Sequence, residues 1–169
     1  MKAIKLIRGK KAIIDDEDFE QVSKQKWCAL YDGHNWYAFR NKVIQNKPYK
    51  QITESLHRFL LMPNKGQEVD HINGDTLDNR RCNLRVCTHA ENTHNSRKPK
   101  TGLTSKYKGV DWYNPGKKFR ARIHVYRVKR KSLGYFKDEI KAALAYDAAA
   151  LKYYGEFARL NFPPPSANS

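Results

Sequence analysis

The sequence predicts an α+β chain with three parts in series: a small β-rich module, a strand–turn–strand–helix core, and a three-stranded antiparallel sheet packed on one helix. Three observations carry this prediction. Apolar residues alternate on either side of Gly9, the pattern of a hairpin. Between Asp70 and Asn92, polar residues gather at the joints of two short apolar runs and a helix-capping signal. Beyond residue 106 the order is strand, strand, strand, then an Ala-rich helix. No internal repeat is present.

In KAIKLIRGKKAIID the chain reverses at Gly9, and Asp15 or Asp16 can cap a short helix running through Val22. KWCALYDGHNWYAFRN then gives two strands about a Tyr31-Asp32-Gly33-His34 turn. Residues 54–62, ESLHRFLLM, read as a helix that stops at Pro63. In VDHINGD, Asp70 and His71 end a strand and Asn73-Gly74 turns the chain. NLRVC returns as a second strand. THAE, residues 88–91, is a capping box with Thr88 as N-cap and Glu91 at the third helical position, so Asn92 lies early in a helix.

Residues 96–106 lack apolar periodicity and form a basic linker, the strongest boundary signal in the chain. YKGVDWY, KFRARIHVY and KRKSLGYF are the three strands that follow. Residues 138–154 are the helix, with Asp138 as N-cap and Gly155 just beyond its end. The expected domains are therefore a supporting module at 1–57, a core at 58–95, the linker at 96–106, a sheet-and-helix module at 107–163 and a disordered tail at 164–169.

Thirty-three Lys and Arg against 17 Asp and Glu give a net charge of +16 and a pI near 9.8, which argues for a polyanionic partner. The basic clusters at 80–85, 97–108 and 117–131 lie among or beside Tyr107, Trp112, Tyr113, Phe119 and Tyr126, a mixture that suits nucleic acid. A membrane surface would call for a basic amphipathic helix, and these stretches are strand-like or loop-like. Nucleic acid is the expected partner. No apolar run reaches transmembrane length and Met1-Lys2-Ala3 opens no signal peptide. A soluble, cytoplasmic protein is expected. Three cysteines at irregular spacing argue against a disulfide framework.

The central stretch suits metal-assisted phosphodiester cleavage. A hard cation prefers oxygen ligands, which the Asp70 carboxylate and the Asn92 amide carbonyl supply. His71 could take a proton from attacking water, and Asn83 is a candidate for holding the imidazole in orientation. Each of these residues has a plainer reading, as a turn former or a surface side chain. A zinc site on Cys82, Cys87, His89 and His94 is admitted by spacing. Leu84 and Val86 between the cysteines read as core positions, however, so structural zinc is not expected. His57 has apolar helical neighbours and reads as a packing or supporting residue. Arg58, Arg80, Arg81 and Arg85 are candidate phosphate contacts.

The phrase HINGDTLDNRRCNLR resembles the H-N-H endonuclease motif, that of the ββα-metal nucleases of homing enzymes and phages. The resemblance implies that His71 is the general base. It implies that Asp70 and Asn92 hold one divalent ion, Mg²⁺ or Mn²⁺, and that Asn83 steadies the turn and the histidine. Asn92 stands where the family name has histidine; the homing branch carries asparagine there. The products implied are a 5′-phosphate and a 3′-hydroxyl.

In KFRARIHVY, Phe119, Ala121, Ile123 and Val125 alternate with Arg120, Arg122, His124 and Tyr126. The first set would pack on the helix, and the second would leave a basic face able to enter a DNA major groove. Residues 103–163 resemble the plant ethylene-response-factor (Apetala-two) DNA-binding domain through YKGV, KFRARI, LGYF, AYDAAA and NFP. The resemblance implies that Lys108, Arg120, Arg122, His124 and Arg130 face DNA, with Tyr113 and Ser132 beside them. Asp111 stands where the plant domains carry arginine and Ser132 where they carry tryptophan, so no base preference carries over. Arg97 and Lys98 in the linker add expected phosphate contacts.

Together these features predict a site-specific DNA endonuclease with a C-terminal sheet that binds DNA. The alternative is a non-catalytic DNA-binding regulator built on a nuclease-like scaffold. An RNA-binding module would favour stacking aromatics over a basic sheet face. One active site per chain fits nicking by a monomer, whereas cutting both strands calls for a dimer or two successive events.

Overall fold

A computed structural model describes residues 1–98, 104–125 and 128–164. Lys100 and part of the expected linker, Tyr126, and residues 165–169 of the expected tail lie outside the described residues. The chain is a mixture of small antiparallel sheets and few helices, divided into two compact units, Met1–Asn92 and Thr93–Ser169.

In the first unit, β1 (Lys2–Lys5) pairs antiparallel with β2 (Lys11–Ile14) across a turn at Arg8 and Gly9. Helix α1 (Phe19–Ser23) starts later than expected, with Asp18 at its N-cap position. Neither Asp15 nor Asp16 is available to cap it. Asp15 accepts the Arg81 backbone N–H at 2.7 Å, and Asp16 accepts the terminal amine at 2.6 Å. Strands β3 (Cys28–Tyr31), β4 (Trp36–Asn46) and β5 (Tyr49–Ser55) form an antiparallel sheet in that order. The long β4–β5 hairpin carries no sequence signal because residues 41–53 are exposed on both faces, leaving no buried side to impose alternation.

Helix α2 (Leu56–Leu61) ends at Met62 in the left-handed region, one residue before Pro63. Strand β6 (Glu68–His71) pairs antiparallel with β7 (Leu84–Cys87), setting Asp70 opposite Arg85 and His71 opposite Leu84. Helix α3 (His89–Asn95) begins with the expected capping box. Thr88 N–H donates to Glu91 Oε2 at 2.7 Å, and Glu91 N–H to Thr88 Oγ1 at 3.3 Å. Ile4, Ile14, Val22, Leu56, Val69 and Leu84 belong to one hydrophobic cluster. Residues 1–57 and the following core thus share a single interior, because each alone has too little apolar surface to enclose one.

In the second unit, β8 (Val110–Tyr113), β9 (Lys118–Val125) and β10 (Val128–Phe136) form an antiparallel sheet with β9 at its centre. Helix α4 (Glu139–Tyr154) packs on it through Ala142, Ala143 and Ala150, all fully buried, against Ala121 and Ile123. Asp138 accepts the Ile140 and Lys141 N–H groups at 2.6 and 3.1 Å, as an N-cap should. Gly109 has φ +75°, and a β-carbon there would lie 1.9 Å from Tyr146 Cδ2, so only glycine lets the strand approach the helix. Asp147 accepts the Asn161 and Phe162 N–H groups, both at 2.8 Å, and so ties the closing NFP to α4. No helix among the described residues is long and apolar enough to cross a membrane.

Candidate active site

The loop from β6 to β7 is held at both ends by Asn83. Its Nδ2 donates to Asp78 O at 2.7 Å, and its Oδ1 accepts the Asn73 N–H at 3.0 Å. Gly74, with φ +74°, completes the turn and donates its N–H to His71 O at 2.8 Å. Buried Asp78 accepts from Asn73 Nδ2 and from both Nε and Nη2 of Arg80, and the Arg80 guanidinium holds its carboxyl below the usual range. The loop is strapped along β2 by Ile13 N–H to Leu77 O at 2.8 Å and Asn79 N–H to Ile13 O at 2.7 Å. Arg81 forks onto Asp18 at 2.9 and 2.7 Å, fixing the short 3₁₀ turn that ends in Asn83. Residues far upstream therefore position the turn.

His71 is only 5% exposed. It meets the His57 ring edge-on at 5.0 Å between centroids, with Tyr37 at 6.4 Å. Burial lowers its pKa, partly opposed by a hydrogen bond to Asn79 and by the charges of Asp70, Asp75 and Asp78. The imidazole is neutral at pH 7 and can accept a proton. Burial, then the charges of His71 and Arg58, push His57 down to about 3. Its ring lies 3.0 Å from Ser55 Oγ.

Glu68 and Asp70 alternate with Val69 and His71 along β6, so the two carboxylates share a face. Arg85, directly across the ladder, donates Nε and Nη2 to Asp70 Oδ2 at 3.0 and 2.7 Å. Glu68 Oε2 accepts Asn92 Nδ2 at 2.6 Å and its Oε1 accepts His89 Nδ1 at 2.8 Å, bonds that hold the Glu68 carboxyl below its usual range. With its NH₂ on Glu68, the Asn92 amide turns its carbonyl oxygen elsewhere. The Asp70 carboxylate and the Asn92 carbonyl are both hard oxygen donors on the Glu68 side of β6, a set that fits Mg²⁺ or Mn²⁺.

Sequence reasoning missed Glu68 and Asn79. The two-residue spacing from Glu68 to Asp70 was a usable signal, while Asn79 reaches His71 only through the folded loop. The arginines read as phosphate contacts have protein partners. Arg58 donates to Gln67 O, Arg80 to Asp78, Arg81 to Asp18 and Arg85 to Asp70. Cys87 is buried, which pushes its thiol up to about 11, and Cys82 is exposed. His94 stacks on Tyr154 at 3.7 Å.

In the second unit the expected alternation on β9 holds over the described residues, with Ala121 and Ile123 inside and His124 exposed. Arg120 and Arg122 both pair with Asp111, at 2.8 and 2.7 Å. Burial raises the Asp111 pKa, but the two guanidinium bonds outweigh it and hold the carboxyl below its usual range. One acid thus fixes two arginines on the sheet face and leaves a net positive charge. Arg130 is exposed on β10.

The expected lysines behave differently. Lys98 donates to the carbonyls of Ser105, Tyr107 and Val110 at 2.8, 2.6 and 2.8 Å. Lys108 donates to His94 O and Ser96 O, both at 2.6 Å, and burial with the Arg159 charge lowers it to about 8. Both ammonium groups bridge backbone carbonyls of the fold, and burial lowers the pKa of each. Arg97, Lys98, Lys106, Lys108 and Arg159 line a shallow basin of about 360 Å³.

Residues 62–94 match the family model for HNH endonucleases. The chain is 28% identical over 159 residues to an ethylene-responsive transcription factor of Arabidopsis thaliana, a match covering 85% of this chain and 37% of that protein. It is 46% identical over 66 residues to an AP2/ERF and B3 domain-containing protein of Oryza sativa subsp. japonica, covering 39% of this chain and 18% of the relative. An APETALA2-like protein 2 of Oryza sativa subsp. indica is 37% identical over 89 residues, covering 50% and 20%. The chain spans between about a fifth and just over a third of the length of these relatives. No solved structure matches it significantly. The chain combines a segment similar to HNH endonucleases, residues 62–94, with similarity to AP2/ERF proteins.

Proposed function

We propose that the chain is a site-specific, metal-dependent DNA endonuclease of the H-N-H homing type, whose C-terminal sheet holds the duplex. The observation that carries this reading is the β6–α3 arrangement. Asp70 and the Glu68-held Asn92 amide lie on one side of the strand, and the neutral imidazole of His71 follows next in sequence.

Asp70 and Asn92 are the residues that would hold the cation. A bound divalent ion would offset charge on the phosphate and on the leaving oxygen. His71 takes a proton from the attacking water, and the charges of Asp70, Asp75 and Asp78 favour the imidazolium that results. The water oxygen bonds to phosphorus as the bond to the 3′-oxygen breaks, and that oxygen takes a proton from solvent, giving a 3′-hydroxyl and a 5′-phosphate end. Asn83 keeps the loop that carries Asn79 in register with His71. Arg120, Arg122, His124 and Arg130 form the basic sheet face that meets double-stranded DNA, and Arg97 adds a phosphate contact.

A second reading, a non-catalytic DNA-binding regulator, is favoured by two features. Arg85 already pairs with Asp70, and His71 is deeply buried. Plasmid cleavage with Mg²⁺ or Mn²⁺ decides between them. The endonuclease reading expects the native chain to cut and His71→Ala to lose at least about a hundredfold in rate. DNA bound but left intact under every metal would establish the regulator. If His71→Ala cut as fast as native protein, the proposed base would be wrong.

A further inference from the structure

We infer that Glu68 is a positioning residue for the metal centre: its carboxylate fixes which end of the Asn92 amide faces the cation. The inference rests on the endonuclease reading and deepens it.

The two ends of an asparagine amide have the same shape and opposite chemistry, and only the carbonyl oxygen can ligate a hard cation. Nothing in the helix itself selects that end. Asn92 lies on α3, and its backbone N–H is taken by Thr88 O at 3.0 Å. Its side chain reaches across to β6, where Glu68 Oε2 accepts from Nδ2 at 2.6 Å. A carboxylate oxygen accepts and does not donate, so the NH₂ branch is held on Glu68 and Oδ1 points along the other branch. The second carboxylate oxygen is held in turn by His89 Nδ1 at 2.8 Å. Glu68 therefore clasps two residues one helical turn apart, His89 and Asn92, and pins the first turns of α3 to the strand that carries Asp70. Partners one bond removed from a metal ligand commonly change affinity by about 10–100-fold when removed.

The test measures Mn²⁺ binding to the full chain by calorimetry without DNA, alongside the Mn²⁺ concentration for half-maximal plasmid cleavage. Asn92→Ala serves as the reference loss. Glu68→Ala is expected to weaken Mn²⁺ binding about tenfold and raise the half-maximal concentration equally, with cleavage at saturating Mn²⁺ close to native. Glu68→Gln keeps an acceptor for Nδ2 and is expected to stay within about threefold of native affinity. Adding Glu68→Ala to Asn92→Ala should weaken binding no further, because Glu68 acts through Asn92.

Native Mn²⁺ affinity in Glu68→Ala, with Asn92→Ala impaired, would overturn the inference alone. So would a full additional loss in the double variant, which would make Glu68 a ligand in its own right. Equal loss in Glu68→Gln and Glu68→Ala would point to its charge, and would also overturn it. Unchanged affinity in Asn92→Ala would remove the endonuclease metal site and the inference together.

Discussion

Asp70 and Arg85 face each other across the β6–β7 ladder, the guanidinium closing on one carboxylate oxygen at 3.0 and 2.7 Å with both side chains largely buried. Removing one member of such a pair leaves the other charged and desolvated. Arg85→Ala should therefore lower unfolding free energy by about 3 kcal/mol in urea titrations. Adding Asp70→Asn, which removes the stranded charge, should restore part of that loss. Equal stability of native protein and Arg85→Ala would show the pair contributes nothing.

His57 gives the first unit a pH dependence with a definite sign. Its folded pKa, about 3, lies below the unfolded value near 6.5, so the unfolded chain binds more protons between those limits. Stability from this group is full above pH 6.5 and falls as pH drops toward 3. Urea unfolding at pH 7, 6 and 5 should show a decline, and His57→Asn should make it shallower whatever its effect at pH 7, with His71, also lowered by burial, supplying the remainder. The shallow window from 6.5 to 5 avoids the titration of carboxylates.

At Gly109 the backbone is left-handed and touches the Tyr146 ring, so Gly109→Ala carries both strain and a clash. A loss of about 2–4 kcal/mol is expected in thermal melts. Combined with Tyr146→Leu, the two losses should be less than additive, since the smaller side chain removes the obstacle.

Lys98 and Arg130 separate fold from binding. Lys98→Ala strips the donor from three backbone carbonyls and should destabilise the second unit by about 2 kcal/mol. Arg130→Ala, on an exposed strand position, should leave the melt unchanged. It should weaken duplex binding and lower the salt slope by about one. Fluorescence anisotropy at several salt concentrations reads both effects. A Lys98→Ala variant that melts like native protein would show that these three bonds add nothing to the fold.

The Gly9 hairpin, the helix stop before Pro63, the Thr88–Glu91 capping box and the Asp138 cap were legible in the sequence because each rests on residues within a few positions of one another. The β9 alternation and the segment from Asp70 to Asn92 were legible for the same reason: strand period and turn chemistry are local. Partners were not. Whether a lysine meets a phosphate or a carbonyl depends on what folding brings within 3 Å, and Lys98 and Lys108 found carbonyls. Asp18 reached Arg81, Asn79 reached His71, and Glu68 reached Asn92 across 24 residues. The β4–β5 hairpin escaped notice because exposure on both faces erases the pattern that would announce it. Local sequence determined where elements begin and end and which residue types could do the chemistry. Tertiary structure alone decided which polar groups are desolvated and paired, because that energy exists only after distant segments have excluded water together.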